Sequence, residues 1–161
     1  MKILIFTEGT ILMHKNGLGL NREEIVKQVQ DNIDSSLRDY SSYIPIGNAS
    51  AKIKLWVNQG AEIFYLTSRK ILKEIGDIKD VLSKYKFPAG QLLARENSEE
   101  YKDVAEKIIP NILIEDDCES IGGEKEVTIT FVKPEIKQKI KSIIVKEFGG
   151  IDDLPNEINE I

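Results

Sequence analysis

The chain has 161 residues, 41% apolar and 30% charged, the balance of a single soluble globular domain and too apolar for a disordered one. Twenty-seven acids against 22 bases leave a formal charge of -5, so no overall positive field exists to hold a nucleic-acid backbone. One cysteine and one histidine exclude an intramolecular disulfide and a Cys/His zinc cage, a usage that fits a reducing cytoplasm, and no apolar run approaches the roughly 18 residues that span a membrane.

Residues 2–6, KILIF, form a short apolar run rich in β-favouring side chains, and it predicts a buried first strand closed by the turn Glu8-Gly9-Thr10. From Asn21 to Leu37 an Asn N-cap, two acids in the first turn and Ile25, Val29 and Ile33 at i, i+4, i+8 predict an amphipathic helix. A second helical stretch around Ile53 and Val57 stops at Gly60, before the apolar run 61–66. The pattern then repeats as helix 71–85, strand 91–94, helix 98–109 and strand 111–114. Such alternation predicts an α/β, three-layer Rossmann-like parallel sheet of about five strands, covered on both faces. Beyond Asp117 the pattern offers strands at 127–132 and 142–145 around a helix starting near Pro134. Residues 152–161 read as a surface tail that frays.

In an open parallel sheet, ligands bind beyond the carboxyl ends of the strands, so the residues after each strand carry the chemistry. Here they are Glu8-Gly9-Thr10, then Thr67-Ser68-Arg69-Lys70, then Glu115-Asp116-Asp117, with Lys102 near the start of an intervening helix. Carboxylates at two strand ends, hydroxyls at a third and a nearby ammonium are what a Mg²⁺ ion and a phosphate demand. Adjacent Asp116 and Asp117 repel each other unless a cation or donor neutralises them, which marks them as metal-side residues beside Glu8. Gly9, Thr10, Thr67, Ser68 and Lys102 are the phosphate-side set.

Each piece has a plainer reading. Glu8-Gly9-Thr10 also serves as a simple strand exit, Thr67 and Ser68 as caps of the following helix, and Lys102 as the partner of Glu106 four residues on. Glu115 and Glu119 read as solvated loop acids. His14 reads as a packing or surface residue, and Cys118 as a packing residue whose thiolate is suppressed by its acidic neighbours. No Walker or Gly-x-Gly-x-x-Gly spacing occurs. The basic stretch 133–146 is a solvated helix face.

Across residues 1–150, the order of these pieces resembles the haloacid dehalogenase-like superfamily of phosphotransferases. That family carries Asp-x-Asp-Gly-Thr after strand one, a Ser or Thr after a hydrophobic strand, a Lys opening a later helix and an acidic pair after a following strand. The resemblance implies a Rossmann-like domain over 1–150, with 13–45 as a minimal one-helix cap insertion and 151–161 as a C-terminal tail. It places Phe6 where the family's nucleophilic Asp stands and Glu8 where its second Asp stands. Phenylalanine offers no lone pair for attack on phosphorus, so the phosphoaspartyl route is closed at that position. Three outcomes follow: a phosphate- or anion-binding protein without turnover, a Mg²⁺-dependent phosphomonoester hydrolase in which Glu8 activates water, or a chemically silent scaffold.

Overall fold

The computed structural model describes all 161 residues. In chain order the strands are β1 (Lys2–Phe6), β2 (Leu12–Met13), β3 (Ile44–Pro45), β4 (Glu62–Leu66), β5 (Gln91–Leu93), β6 (Ile112–Asp116) and β7 (Lys141–Val145). The helices are α1 (Arg22–Asp31), α2 (Ala49–Asn58), α3 (Leu72–Lys84), α4 (Tyr101–Ile108) and the one-turn α5 (Pro134–Lys137). Five strands form an all-parallel sheet in the order β5-β4-β1-β6-β7, and β2 and β3 pair antiparallel as a separate ribbon. The fold is therefore α/β, with a Rossmann-like sheet between two helical layers.

The period-two alternation of the strands divides the core. Ile3, Ile5, Ile63, Tyr65, Ile112 and Ile114 point to one face, where Ile53 and Trp56 of α2 and Ile78 and Val81 of α3 cover them. Leu4, Phe64, Leu66 and Leu113 point to the other, against Val104 and Ala105 of α4 and the buried Val127, Ile129 and Val132. Since every inner strand is buried on both faces, it reads in sequence as an unbroken apolar run. No helix is long and apolar enough to cross a membrane.

Four expectations change. The helix expected over 21–37 starts as read, with Asn21 accepting from the Glu24 N–H in a full capping box, but it ends at Asp31. Asn32 adopts φ +51 as a left-handed cap, and the expected stripe residue Ile33 is left 85% exposed. Residues 127–132 form no strand. The 3-10 turn Thr128–Phe131 occupies the segment, after an earlier one at Gly123–Glu126, because the Glu115 carboxylate takes the Thr128 and Ile129 N–H groups (2.8 and 3.2 Å) that a ladder would use. The strand expected at 111–114 runs on to Asp116, since β7 lies alongside and pairs Glu115 with Ile144 and Asp116 with Val145.

The fourth change is the tail, which docks. Ile151 is fully buried, and Ile158 and Ile161 nearly so, all within the same core cluster as Trp56. Trp56 Nε1 donates to the Pro155 carbonyl at 2.9 Å, Lys52 Nζ to the Leu154 carbonyl, and the Asn48 N–H to Asp152. The terminal segment thus seals α2 against the sheet. Replacing Ile151 by Ala should lower the urea-unfolding free energy by about 2–4 kcal/mol, the usual cost of a buried Ile-to-Ala cavity. A change below about 0.5 kcal/mol would mean that the segment frays.

Candidate functional site

The chain runs from β1 to one side of the sheet through β4 and β5, then returns to the other side through β6 and β7. A crevice opens at such a reversal, beyond the carboxyl ends of the central strands. The turn after β1 is built there: the Ile11 and Leu12 N–H groups both donate to the Thr7 carbonyl, and the Gly9 N–H donates to Leu12. Gly9 has φ +84, and a Cβ on it would lie 2.8 Å from Asp116 Oδ2, so only glycine lets β1's exit pass so close to β6. Thr10, fully buried, donates its hydroxyl to the same Oδ2 at 2.8 Å. Gly9 and Thr10, expected to hold phosphate, have instead spent their N–H and O–H on the turn and on Asp116.

Thr67 and Ser68 do form an oxyanion cradle, and a carboxylate of the chain fills it. Thr67 Oγ1 donates to Glu8 Oε1 at 2.7 Å, the Ser68 N–H to Oε2 at 3.2 Å, and Thr7 Oγ1 also donates to Oε2. Arg69 Nε stands 3.2 Å from Oε1. Glu8 is therefore turned toward β4 and charge-neutralised there, away from the acids of β6.

Those acids separate as well. Successive side chains alternate across a strand, so Glu115 and Asp116, the last two residues of β6, point to opposite faces. Glu115, read as a solvated loop acid, is 2% exposed and pins the 3-10 turn at Thr128. Asp116 accepts from Thr10 and from the Cys118 N–H (3.0 Å). Asp117 leaves toward β7, where the Glu147 N–H (3.0 Å), Lys146 Nζ (3.0 Å) and Arg22 (3.7 Å) hold it. The expected metal trio of Glu8, Asp116 and Asp117 therefore does not converge. No three His, Cys, Asp or Glu side chains anywhere in the chain group so as to hold a metal ion, and the donor set does not fit Mg²⁺.

Lys102 also departs from expectation. It pairs with Glu100 at 2.7 Å and lines a cavity of about 280 Å³ on the α4 side, not the one beside Glu8. A second cavity of about 410 Å³ lies between the insertion and the strand ends and holds Glu8, Arg38, Arg69 and Arg95 in its wall. The two cavities share Phe6, Arg95, Tyr101, Asp116, Cys118 and Ile121, so they are two lobes of one cleft.

The cations of the larger lobe are arginines. Arg69 lies over the Tyr40 ring, 4.5 Å from its centroid, and also bonds the Tyr40 hydroxyl. Arg95 stacks on Tyr101 at 3.8 Å, and Phe6 meets that same ring edge-on at 5.0 Å. Arg22 and Arg69 have carboxylate partners, whereas Arg38 and Arg95 form no ion pair, and Arg95 Nε is a buried donor with no acceptor. The strand-exit rule, applied to β5 as to the other strands, leads to Arg95, two residues past Leu93. Arg38 carries no local signal, since it reaches the cleft from the insertion. His14 is buried and bonded to Gln28 (2.8 Å), in keeping with a packing role, and burial followed by the Asp116 charge pushes the Cys118 thiol up, away from thiolate.

Neither a protein-family model nor a curated protein matches the sequence. Among solved structures, the chain is similar to one in "Structure of Pnkp1/Rnl/Hen1 complex", with a TM-score of 0.55 and 13% identity over 90% of this chain. The match takes in 46% of that chain, so the present sequence spans less than half of its length. At that identity the likeness speaks for the fold alone.

Burial raises the carboxyl pKa of Glu115, Asp116 and Glu147 above the ordinary range, against the hydrogen bonds from Thr128, Thr10 and Ser120 that favour the charged forms. Asp117 is also penalised by burial, yet the Glu147 N–H and Lys146 hold it below that range. Groups raised on folding bind more protons in the native than in the unfolded state, so their contribution is fully present below the unfolded value and is lost as pH rises through the folded one. Asp117 behaves oppositely, its contribution fading only as pH falls below about 4. Urea-unfolding free energy measured from about pH 4 toward neutrality should therefore decline more steeply for the native chain than for Glu115→Gln. Equal slopes would remove Glu115 from the account.

Proposed function

We propose that the protein is a haloacid dehalogenase-like member that binds a small phosphorylated or otherwise anionic ligand at the strand-end cleft and has no covalent turnover. One observation carries the binding half: Arg38 and Arg95 line one cavity with no carboxylate partner. A guanidinium presents a planar fork of donors matched to phosphate or carboxylate; Arg38 is exposed, whereas Arg95 is half-buried with its Nε–H shut off from solvent and without an acceptor, which is costly. The absence of turnover follows from Phe6, which stands at the exit of β1 with its ring against Tyr101 and has nothing to offer phosphorus. Glu8 is no substitute. Its two oxygens accept from Thr7, Thr67 and the Ser68 N–H and lie against the Arg69 guanidinium, which stabilises the carboxylate and weakens it as a base toward water.

The reading assigns anion capture to arginines and not to a metal, because the acids diverge. Calorimetric titration with inorganic phosphate should give saturable binding that is unchanged by EDTA, and Arg95→Ala should weaken it about tenfold or more. The native chain and Glu8→Gln should both leave a generic phosphomonoester intact. Native hydrolysis that disappears in Glu8→Gln, or affinity that depends on added Mg²⁺, would overturn the proposal in favour of a metal-dependent phosphatase.

A further inference from the structure

The lobe on the α4 side of Phe6 shares Phe6, Tyr101, Ile121 and Arg95 with the larger lobe and adds Phe131, beside the charged Glu100, Lys102, Glu115, Asp116 and Glu126. Its 280 Å³ are walled by Phe6, Tyr101, Ile121 and Phe131, with Arg95 at the junction to the larger lobe. Phe131 and Ile121 are 55% and 68% exposed, and neither belongs to any of the three apolar clusters of the core. These are large apolar side chains that the fold itself does not bury, gathered around one concavity.

The acids of this lobe are each accounted for. Glu115 is held by the Thr128 and Ile129 N–H groups, Asp116 by Thr10 and the Cys118 N–H, and Glu100 by Lys102, while Glu126 is exposed. Arg95 is the group left over. The Tyr101 face takes up part of its charge, but the Nε–H, shut off from solvent, has no acceptor. Arg95 Nη2 donates to the Ser68 carbonyl at 3.5 Å, so the Nε–H is its one buried donor without an acceptor, and beside the apolar wall of Phe6, Tyr101, Ile121 and Phe131 it matches a ligand with one anionic group and one compact apolar body. A cavity of roughly 150 Å³ is enough for benzene, so this lobe of about 280 Å³ has room for one ring beside its head group.

We propose that this lobe is a second subsite, which takes the aryl-sized apolar body of a small ligand whose single anionic head, a phosphate or a carboxylate, is held by Arg95. The inference rests on the anion-binding reading above and adds what the rest of the ligand must be. It places the ligand body between α4 and the turn Thr128–Phe131, on the opposite side of Phe6 from the insertion.

The test is a calorimetric comparison of inorganic phosphate with phenyl phosphate, and of acetate with benzoate, on the full chain. In at least one pair the aromatic member should bind tenfold or more tightly than its small counterpart, and the pair that shows the gain names the head group. In Phe131→Ser, a change at a residue outside the packed core, that ratio should fall to near one while the thermal unfolding midpoint stays within a few degrees. Arg95→Ala should weaken the aromatic ligand and keep the fold. Small anions that bind with no gain from the ring would overturn the subsite and leave anion binding standing. No binding of any of the four would overturn anion binding, and the subsite with it.

Discussion

Glu8 sits in a cradle made by Thr7, Thr67, the Ser68 N–H and the Arg69 guanidinium, and this internal ion pair governs what the strand ends can do. Hydroxyls and backbone N–H groups at the end of a parallel strand are suited to an oxyanion, whether it arrives on a ligand or on a side chain two residues past the neighbouring strand. Because a glutamate supplies it, the carboxylate is withdrawn from β6 and Arg69 is withdrawn from any ligand. The larger lobe keeps the unpaired Arg38 and Arg95 for an external anion. In the proposed reading, the binding charge thus comes from residues that no acid of the chain has claimed.

The end of β6 works by divergence. Glu115, Asp116 and Asp117 are consecutive in sequence, yet each serves a different neighbour: the turn at Thr128, the turn at Gly9 and Thr10, and the β7 end with Arg22 of the insertion. Arg22 also donates Nε–H to the Glu147 carbonyl at 2.8 Å, so the start of α1 is tied to the far side of the cleft. The acidic run is the fastening point of three loops, and Lys146 and Arg22 offset part of its charge. Burial of Glu115 and Asp116 relieves part of it differently, by favouring their protonated forms.

Phe6 has two roles that follow from one position. As the last residue of β1 it closes the ladder, pairing with Leu66, and as a side chain it leans on Tyr101 and lines both lobes of the cleft. An aspartate there would replace that ring by a charge in the wall that Phe6 shares with Asp116. The aromatic ring therefore shapes the space in which the proposed ligand is held.

The apolar runs 2–6, 61–66 and 111–114 and the helices between them were enough to read the sheet and its covering layers, because burial on both faces writes itself into consecutive residues. The Asn21 cap and the Gly9 turn were legible for the same local reason. Partnership was not. Whether Asp117 meets Glu8 or Lys146, whether Thr67 holds a ligand or Glu8, and whether 127–132 pairs as a strand or is captured by Glu115 all depend on groups distant in the chain. The C-terminal segment shows the limit most clearly: its isoleucines are too sparse to signal burial, and only the groove beside Trp56 decides that they dock. Local sequence thus determined the elements, while long-range competition for each donor and acceptor, settled only once the elements pack, determined the site.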